Sequence, residues 1–124
     1  MSFISNQLIF WHKLHGRHRL PWQQTKNPYA IWISEIMLQQ TQVSTVIDYY
    51  KKFMRRFPDI EALADAEMDE VNECWSGLGY YSRARNIHTA VKIILERYNG
   101  IFPQKFEEIL ELPGIGRTTA GAIC

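Results

Sequence analysis

One acid stands inside an apolar run in the first third of the chain, directly ahead of several polar side chains. The run reads Ser34-Glu35-Ile36-Met37-Leu38-Gln39-Gln40-Thr41-Gln42, and no carboxylate side chain precedes Glu35. The apolar neighbours of Glu35 should desolvate its carboxyl group, which raises the pKa and suits the group to deliver a proton near neutral pH. The glutamine amides that follow offer the donors and acceptors needed to contact the edges of nucleic-acid bases.

A second motif, Leu112-Pro113-Gly114-Ile115-Gly116-Arg117-Thr118-Thr119-Ala120-Gly121, joins a glycine-rich turn to the start of a helix. Gly114 and Gly116 permit a tight turn, and the free N–H groups of a helix N-terminus attract phosphate, to which Arg117 adds charge. We expect Ile115 to be buried as the anchor of the turn. A G-x-G pair alone would favour a plain connection between helices. The whole motif favours a helix-hairpin-helix that holds the DNA backbone without reading sequence.

The elements that must position these residues are predicted to be helices throughout. Apolar residues recur at three- and four-residue spacing, and no alternating run is long enough for a strand. The predicted helices lie near 3–15, 28–39, 42–57, 67–75, 82–98, 104–110 and 117–124. Asn27-Pro28 should begin the second helix and Pro58 should end the third, while Ser82 should cap the fifth and Asn99-Gly100 should end it. The fold class is therefore all-α.

The composition is that of one globular domain, which we place at 1–124 with the helix-hairpin-helix at about 105–124. The chain is 46% hydrophobic and 22% charged, which is ordinary for a folded protein. Its net charge is only +1, but the charges are segregated: residues 1–34 carry bases alone, and residues 59–73 carry acids alone. Solvated helix faces are the ordinary interpretation of such runs, and a positive face for phosphate is the alternative.

Neither the cysteines nor the histidines have the spacing of metal ligands. Cys74 and Cys124 are also too far apart to suggest a disulfide framework, so a reducing cytoplasm is expected. The histidines are expected at the surface; they are His12, His15, His18 and His88. No signal peptide or membrane span is predicted. The chain stops at Cys124 within an apolar helical pattern that has no C-cap signal, from which we expect a C-terminal truncation.

Four blocks of the sequence resemble adenine DNA glycosylases of the MutY type, within the helix-hairpin-helix superfamily that includes endonuclease III. The blocks are Leu20-Pro21-Trp22, residues 28–43, residues 77–86 and residues 112–123. The patterns S-E-x-M-L-Q-Q-T and G-L-G-Y-Y-x-R-A-R-N are distinctive of this branch, whereas the hairpin alone indicates only the superfamily. The resemblance implies a helical bundle or barrel domain, truncated at its C-terminus, from an enzyme that hydrolyses the glycosidic bond of adenine mispaired with 8-oxoguanine or guanine.

The resemblance also implies roles for individual residues. Glu35 would protonate the adenine ring and later activate water. The residues that contact the base opposite the flipped adenine would be Gln40 and Thr41, and the wedge that enters the base stack would be Leu78 and Tyr80. Trp22, Leu38 and His18 would lie near the adenine pocket or its DNA. Such a wedge offsets the few kcal/mol that base flipping costs; core packing is the other interpretation of Leu78 and Tyr80.

The hairpin residues that would bind DNA are Gly114, Gly116, Arg117 and Thr118. Thr118 occupies the position where bifunctional endonuclease III-like enzymes carry a Schiff-base lysine, so the resemblance implies base removal without strand cleavage. It also implies an aspartate in an Asp-Gly-Asn segment, four cysteines for a [4Fe-4S] cluster and a C-terminal domain that checks for 8-oxoguanine, all beyond Cys124. The chain alone would then be inactive or nearly so.

The implied partner is double-stranded DNA that contains A:8-oxoguanine or A:G mispairs, bound by a monomer in the bacterial cytoplasm at the nucleoid. Two alternatives stay open at this point. The first is a thymine-mismatch glycosylase of the same superfamily, with a different base pocket. The second is a non-catalytic DNA-binding module that has kept the hairpin, although backbone binding has no use for a desolvated acid.

Overall fold

The computed structural model describes residues 26–39, 41–79 and 81–123, and this part of the chain is built from helices and turns. Seven helices lie in it: α1 (Pro28–Leu38), α2 (Val43–Arg56), α3 (Ile60–Asp65), α4 (Met68–Trp75), α5 (Tyr81–Tyr98), α6 (Phe106–Leu110) and α7 (Arg117–Ile123). The predicted all-α class is confirmed. The helix predicted at 3–15 lies outside the described residues. None of the helices in the described ranges is long and apolar enough to cross a membrane.

The predicted helix ends mostly agree with the structure. The Asn27 side chain accepts a hydrogen bond from the Tyr29 N–H at 2.9 Å, so it caps α1 ahead of Pro28. Asn99 and Gly100 both have positive φ, and the Gly100 N–H donates to the Ile94 carbonyl at 3.1 Å, which ends α5. Ser82 is not a cap, because α5 already begins at Tyr81 and Ser82 lies in its first turn.

The sequence pattern does not predict helix α3, because its acidic stretch indicates only a charge run. Asp59 accepts from the Ala62 N–H at 2.8 Å and caps it, and Glu61 lies in the first turn, where a carboxylate is favourable. Ile60 and Leu63 are buried and attach α3 to α5. Two buried residues in six are too few for a clear helical period, which explains why the pattern hid this element.

The core lies among α1, α2, α4 and α5 and is rich in aromatic rings. The Phe53 ring meets the Trp75 ring edge-on at 6.1 Å, and Trp32 meets Phe102 in the same way at 5.6 Å. Helix α1 is buried on nearly every side and contacts both α2 and α7. A helix enclosed in this way holds its side chains in fixed positions, which matters because α1 carries Glu35.

His88 is buried, contrary to the expectation that the histidines lie at the surface. Its side chain extends from α5 into the protein interior, and Nε2 donates to the Ala66 carbonyl at 2.8 Å. This hydrogen bond satisfies the ring nitrogen and joins α5 to the segment between α3 and α4. His12, His15 and His18 lie outside the described residues.

Candidate functional site

Glu35 is the buried acid of α1. Its side chain is only 7% exposed, and burial alone raises the pKa of the carboxyl group from 4.5 to about 7. The Oε2 atom is buried and has no hydrogen-bond partner among the described residues. A carboxyl group in this setting is partly protonated at neutral pH, so it can both give and take a proton there.

The C-terminal end of α1 is tied to two other elements. Gln39 Nε2 donates to Thr119 Oγ1 at 3.3 Å, and Thr119 is buried where α7 packs on α1. Arg83 of α5 donates through Nη1 to the Gln39 carbonyl at 2.6 Å. The helix that carries the buried acid is thereby joined to the hairpin and to the start of α5.

The turn between α4 and α5 is a tight loop with two glycines at positive φ, Gly77 at 93° and Gly79 at 75°. Trp75 Nε1 donates to the Gly79 carbonyl at 3.1 Å across this loop. Leu78, expected in the wedge, is partly buried against the core. Tyr80, its expected partner, lies outside the described residues.

The hairpin between α6 and α7 has an inner face and an outer face. Leu112 and Ile115 are buried, and Ile115 therefore anchors the turn as expected. Gly114 has a φ of 78°, and a Cβ at this position would lie 2.8 Å from Asn86 Cβ, so the turn sits directly on α5. The outer face is exposed and consists of Gly114, Gly116, Arg117 and Thr118. All four hairpin residues expected to bind DNA are thus accessible to solvent.

The other expected site residues are placed less completely. Thr41 is half-buried, and its hydroxyl donates to the Gln39 carbonyl at 3.4 Å. Leu38 is 1% exposed and belongs to the core, so it could border a base pocket only as part of an inner wall. Gln40, Trp22 and His18 lie outside the described residues.

Several residues that shape this site have no role predicted from the sequence. Arg83 and Asn86 lie in the motif G-L-G-Y-Y-x-R-A-R-N, and their polar side chains were the available signal. Trp75 and Tyr49 had no signal beyond being aromatic, since their hydrogen bonds go to backbone carbonyls, which no side-chain pattern marks.

Metal ligands do not converge in the described ranges, where no group of three or more histidine, cysteine or acidic side chains could hold an ion. The whole sequence has two cysteines, Cys74 and Cys124, whereas a [4Fe-4S] cluster is held by four. Cys74 is buried beside α2. These residues do not fit such a cluster.

Comparisons with known proteins agree on one family. The family model for HhH-GPD superfamily base excision DNA repair proteins matches residues 33–123. An adenine DNA glycosylase from Buchnera aphidicola subsp. Baizongia pistaciae is 59% identical over 94% of this chain and 33% of that protein. An adenine DNA glycosylase from Mus musculus is 45% identical over 98% of this chain and 25% of that protein. The chain thus spans about a third or less of the length of these relatives.

Solved structures show the same fold. A thermostable thymine-DNA glycosylase superposes with a TM-score of 0.80 at 30% identity, over 98% of this chain and 55% of that chain. Endonuclease III in a non-covalent DNA complex superposes with a TM-score of 0.73 over 97% of this chain and 56% of that chain. Because endonuclease III is only 24% identical to this chain, the superposition shows a shared fold and nothing more.

Proposed function

The chain belongs to the HhH-GPD superfamily of base excision DNA repair proteins, and we propose that it carries the proton-donating part of a monofunctional adenine DNA glycosylase. The observation that carries this proposal is Glu35: an acid with a pKa near 7, buried in a helix that is tied to the exposed hairpin. Its substrate would be double-stranded DNA with adenine opposite 8-oxoguanine or guanine. Such DNA would place a bacterial protein of this kind in the cytoplasm at the nucleoid.

In the proposed reaction, Glu35 donates its proton to a ring nitrogen of the flipped adenine. The glycosidic bond then breaks with its electron pair on the neutral base, and positive charge develops on the sugar. The resulting Glu35 carboxylate accepts a proton from the water that adds to the sugar, which returns the acid to its starting state. Desolvation is useful here because it keeps a proton on Glu35 at neutral pH.

The hairpin and the α4–α5 loop would act on the DNA without taking part in the chemistry. The hairpin would hold phosphates through its outer N–H groups and Arg117, which positions the duplex without reading sequence. Leu78 and Tyr80 would fill the gap left by the flipped base, and Gln40 and Thr41 would contact the base opposite. Trp22, Leu38 and His18 would border the adenine pocket.

Two groups expected in the full-length enzyme are not supplied by these 124 residues. An Asp-Gly-Asn segment, whose aspartate would stabilise the positive sugar, does not occur in the sequence. We also propose that a [4Fe-4S] cluster of the full-length protein is held by cysteines other than Cys74 and Cys124. Thr118 is not an amine and cannot form a Schiff base, which is why the proposed enzyme removes the base without cutting the strand.

A chimera tests the proposal. This chain would replace the corresponding segment of the 59% identical Buchnera relative, and single-turnover release of adenine would be measured on an A:8-oxoguanine duplex. We expect release of adenine without strand cleavage. Strand cleavage by the chimera, or failure to release adenine when the chimera is folded and binds the duplex, would count against the proposal.

The second candidate is a thymine-mismatch glycosylase, favoured by the structural likeness to the thermostable thymine-DNA glycosylase. The higher identity to adenine DNA glycosylases supports the adenine assignment instead. The same chimera, offered duplexes with G:T and A:8-oxoguanine mispairs, distinguishes the two by the base that is released.

A further inference from the structure

The loop between α4 and α5 is held by a tyrosine from another helix. The Tyr49 hydroxyl on α2 donates to the Ser76 carbonyl at 2.7 Å, a short and well-formed hydrogen bond. The fit around it is close, because a Cβ at Gly77 would overlap the Tyr49 hydroxyl oxygen. The entry to the loop therefore has a defined position relative to α2.

The exit of the loop is held by a second aromatic side chain. Trp75 is 1% exposed, packs against Phe53 of α2 and donates from Nε1 to the Gly79 carbonyl at 3.1 Å. The loop is therefore held by two hydrogen bonds, at the Ser76 and Gly79 carbonyls, and Leu78 lies between these two residues. Two residues later, α5 begins at Tyr81.

Helix α2 also begins at the segment proposed to contact the opposite base. Gln42 is the N-cap residue of α2, directly after Thr41. Tyr49 lies seven residues further, which is two helical turns or about 10 Å along the axis. A single rigid helix therefore separates Thr41 from the anchor of the loop.

A second connection links the same two segments from the other side. Arg83, in the first turn of α5, donates to the Gln39 carbonyl at 2.6 Å. The chain and its hydrogen bonds now form a closed ring: from Gln39 along α2 to Tyr49, across to Ser76, through the loop to Arg83, and back to Gln39.

From this ring we propose that Tyr49 and Arg83 are positioning residues that hold residues 76–79 of the α4–α5 loop at a set distance from Gln39 and Thr41 before DNA binds. The inference rests on the proposed function in one respect, the entry of the loop into the base stack. A loop ordered in advance does not lose conformational freedom on binding, so more of its contact energy remains for opening the duplex. Without the tyrosine hydroxyl, part of that energy would go into ordering the loop.

The test compares Tyr49→Phe with the wild type. It uses DNA that has a gap in the base stack for the wedge to fill but no base to be removed. Affinities of the whole 124-residue chain would be measured for a duplex with a tetrahydrofuran abasic site and for the same duplex intact. We expect the ratio of the affinity for the abasic duplex to that for the intact duplex to fall about 3- to 10-fold, which corresponds to the loss of one hydrogen bond. The affinity for the intact duplex should be nearly unchanged. Tyr98→Phe, the same change at the far end of α5, is the matched control and should keep the ratio.

Three outcomes would overturn the inference: an unchanged ratio in Tyr49→Phe, an equal loss of ratio in Tyr98→Phe, or no preference of the wild type for the abasic duplex. An equal loss of both affinities marks a merely structural role. If Tyr49→Phe does not fold, Arg83→Lys decides by the same ratio, because it keeps the charge but not the guanidinium geometry.

Hydrogen exchange provides a readout without DNA. The amides of residues 77–79 should exchange several-fold faster in Tyr49→Phe than in the wild type, and unchanged exchange would contradict the proposal. Failure of the proposed function looks different, since a chimera that releases no adenine leaves the abasic-site preference and its dependence on Tyr49 intact.

Discussion

At the residue scale, the proposed chemistry depends on one buried carboxyl group, that of Glu35 in α1. Glu35 is buried because α1 is apolar on nearly every side and is covered by α2 and α7. The cost of burying the charged form keeps the proton on the acid and raises the pKa to about 7. The same burial that makes Glu35 useful also makes its charged form unfavourable for folding.

Glu35→Gln in the chimera should abolish adenine release and leave binding to the A:8-oxoguanine duplex within about twofold. Glutamine has the same size but neither donates a proton to the departing base nor accepts one from water, and loss of such a group typically costs at least ~10²-fold in rate. Single-turnover kinetics and equilibrium binding check the two halves separately. Near-normal release per folded molecule would remove Glu35 from the mechanism.

The same substitution should change how stability depends on pH. Because the pKa of Glu35 is raised from 4.5 to about 7 in the folded chain, the native state holds a proton that the unfolded state has lost between those values. Its contribution is therefore fully present below pH 4.5 and lost as pH rises through 7. The free energy of unfolding of Glu35→Gln, relative to wild type, should rise by up to about 3 kcal/mol between pH 4.5 and 8.

Denaturant titrations of both proteins at several pH values measure this difference. Comparing two pH values cancels the fixed cost of burying the amide. A difference that stays constant across the range would show that Glu35 titrates in the folded chain as it does in the unfolded one.

At the element scale, the position of the hairpin depends on the close approach of its turn to α5. Gly114 adopts a φ of 78°, and its missing side chain leaves room for Asn86. The turn can therefore lie on α5 while Ile115 is buried and Gly116 is exposed. Here glycine is required twice, once for the backbone angle and once for the space.

Gly114→Ala should destabilise the chain by about 1–3 kcal/mol and weaken its DNA binding, because the new Cβ meets Asn86 and the backbone is strained. Gly121→Ala is the control: nothing lies within 4 Å of a Cβ there, and alanine favours a helix by up to about 1 kcal/mol. Thermal melts and duplex affinity would be measured for both. Equal changes in melting temperature and duplex affinity in the two variants would mean that the close approach of Gly114 to Asn86 does not position the hairpin.

At the scale of the whole molecule, the charges are less segregated than the sequence suggests. Arg56, at the end of the basic helix α2, pairs with Glu70 at 3.3 Å and Glu73 at 3.2 Å. Part of the basic charge of α2 is therefore matched by the acidic stretch at 59–73, and the three charged side chains remain exposed. The exposed hairpin arginine, Arg117, is the better candidate for a phosphate contact.

Binding of the chain to DNA should weaken steeply with salt and be indifferent to sequence. Replacing Arg117 with glutamine should reduce the slope of log affinity against log salt by roughly 1, the effect of one lost phosphate contact. Arg56→Gln removes the same charge where it is already paired and should leave the slope nearly unchanged. Equal changes in both variants would mean that net charge alone governs binding.

Adenine release by the 124-residue chain itself should be at least about 10²–10³ slower than by the chimera, since no aspartate of an Asp-Gly-Asn segment stabilises the developing charge on the sugar. Both proteins would be assayed on the same A:8-oxoguanine duplex under single-turnover conditions. Equal rates would mean that the second carboxylate is dispensable.

The sequence by itself determined the helical class, the buried acid and the anchored hairpin turn, because each follows from local chemistry. An apolar run desolvates its one carboxylate wherever the helix packs, and Gly114 permits a positive φ in any context. Helix α3 was not predicted, because its apolar face has only two residues and the rest of the stretch is dominated by acids. The prediction that His88 lies at the surface was wrong, because the sequence does not show whether a buried carbonyl is available to accept a hydrogen bond from the ring.

Only the tertiary structure decided how these parts are connected. The bonds from Tyr49 to Ser76, from Arg83 to Gln39 and from Gln39 to Thr119 join residues 27, 44 and 80 positions apart. Two of the three end on backbone carbonyls, which every residue has, so no side-chain pattern marks the acceptor. Their geometry exists only after α1, α2, α5 and α7 pack around one core.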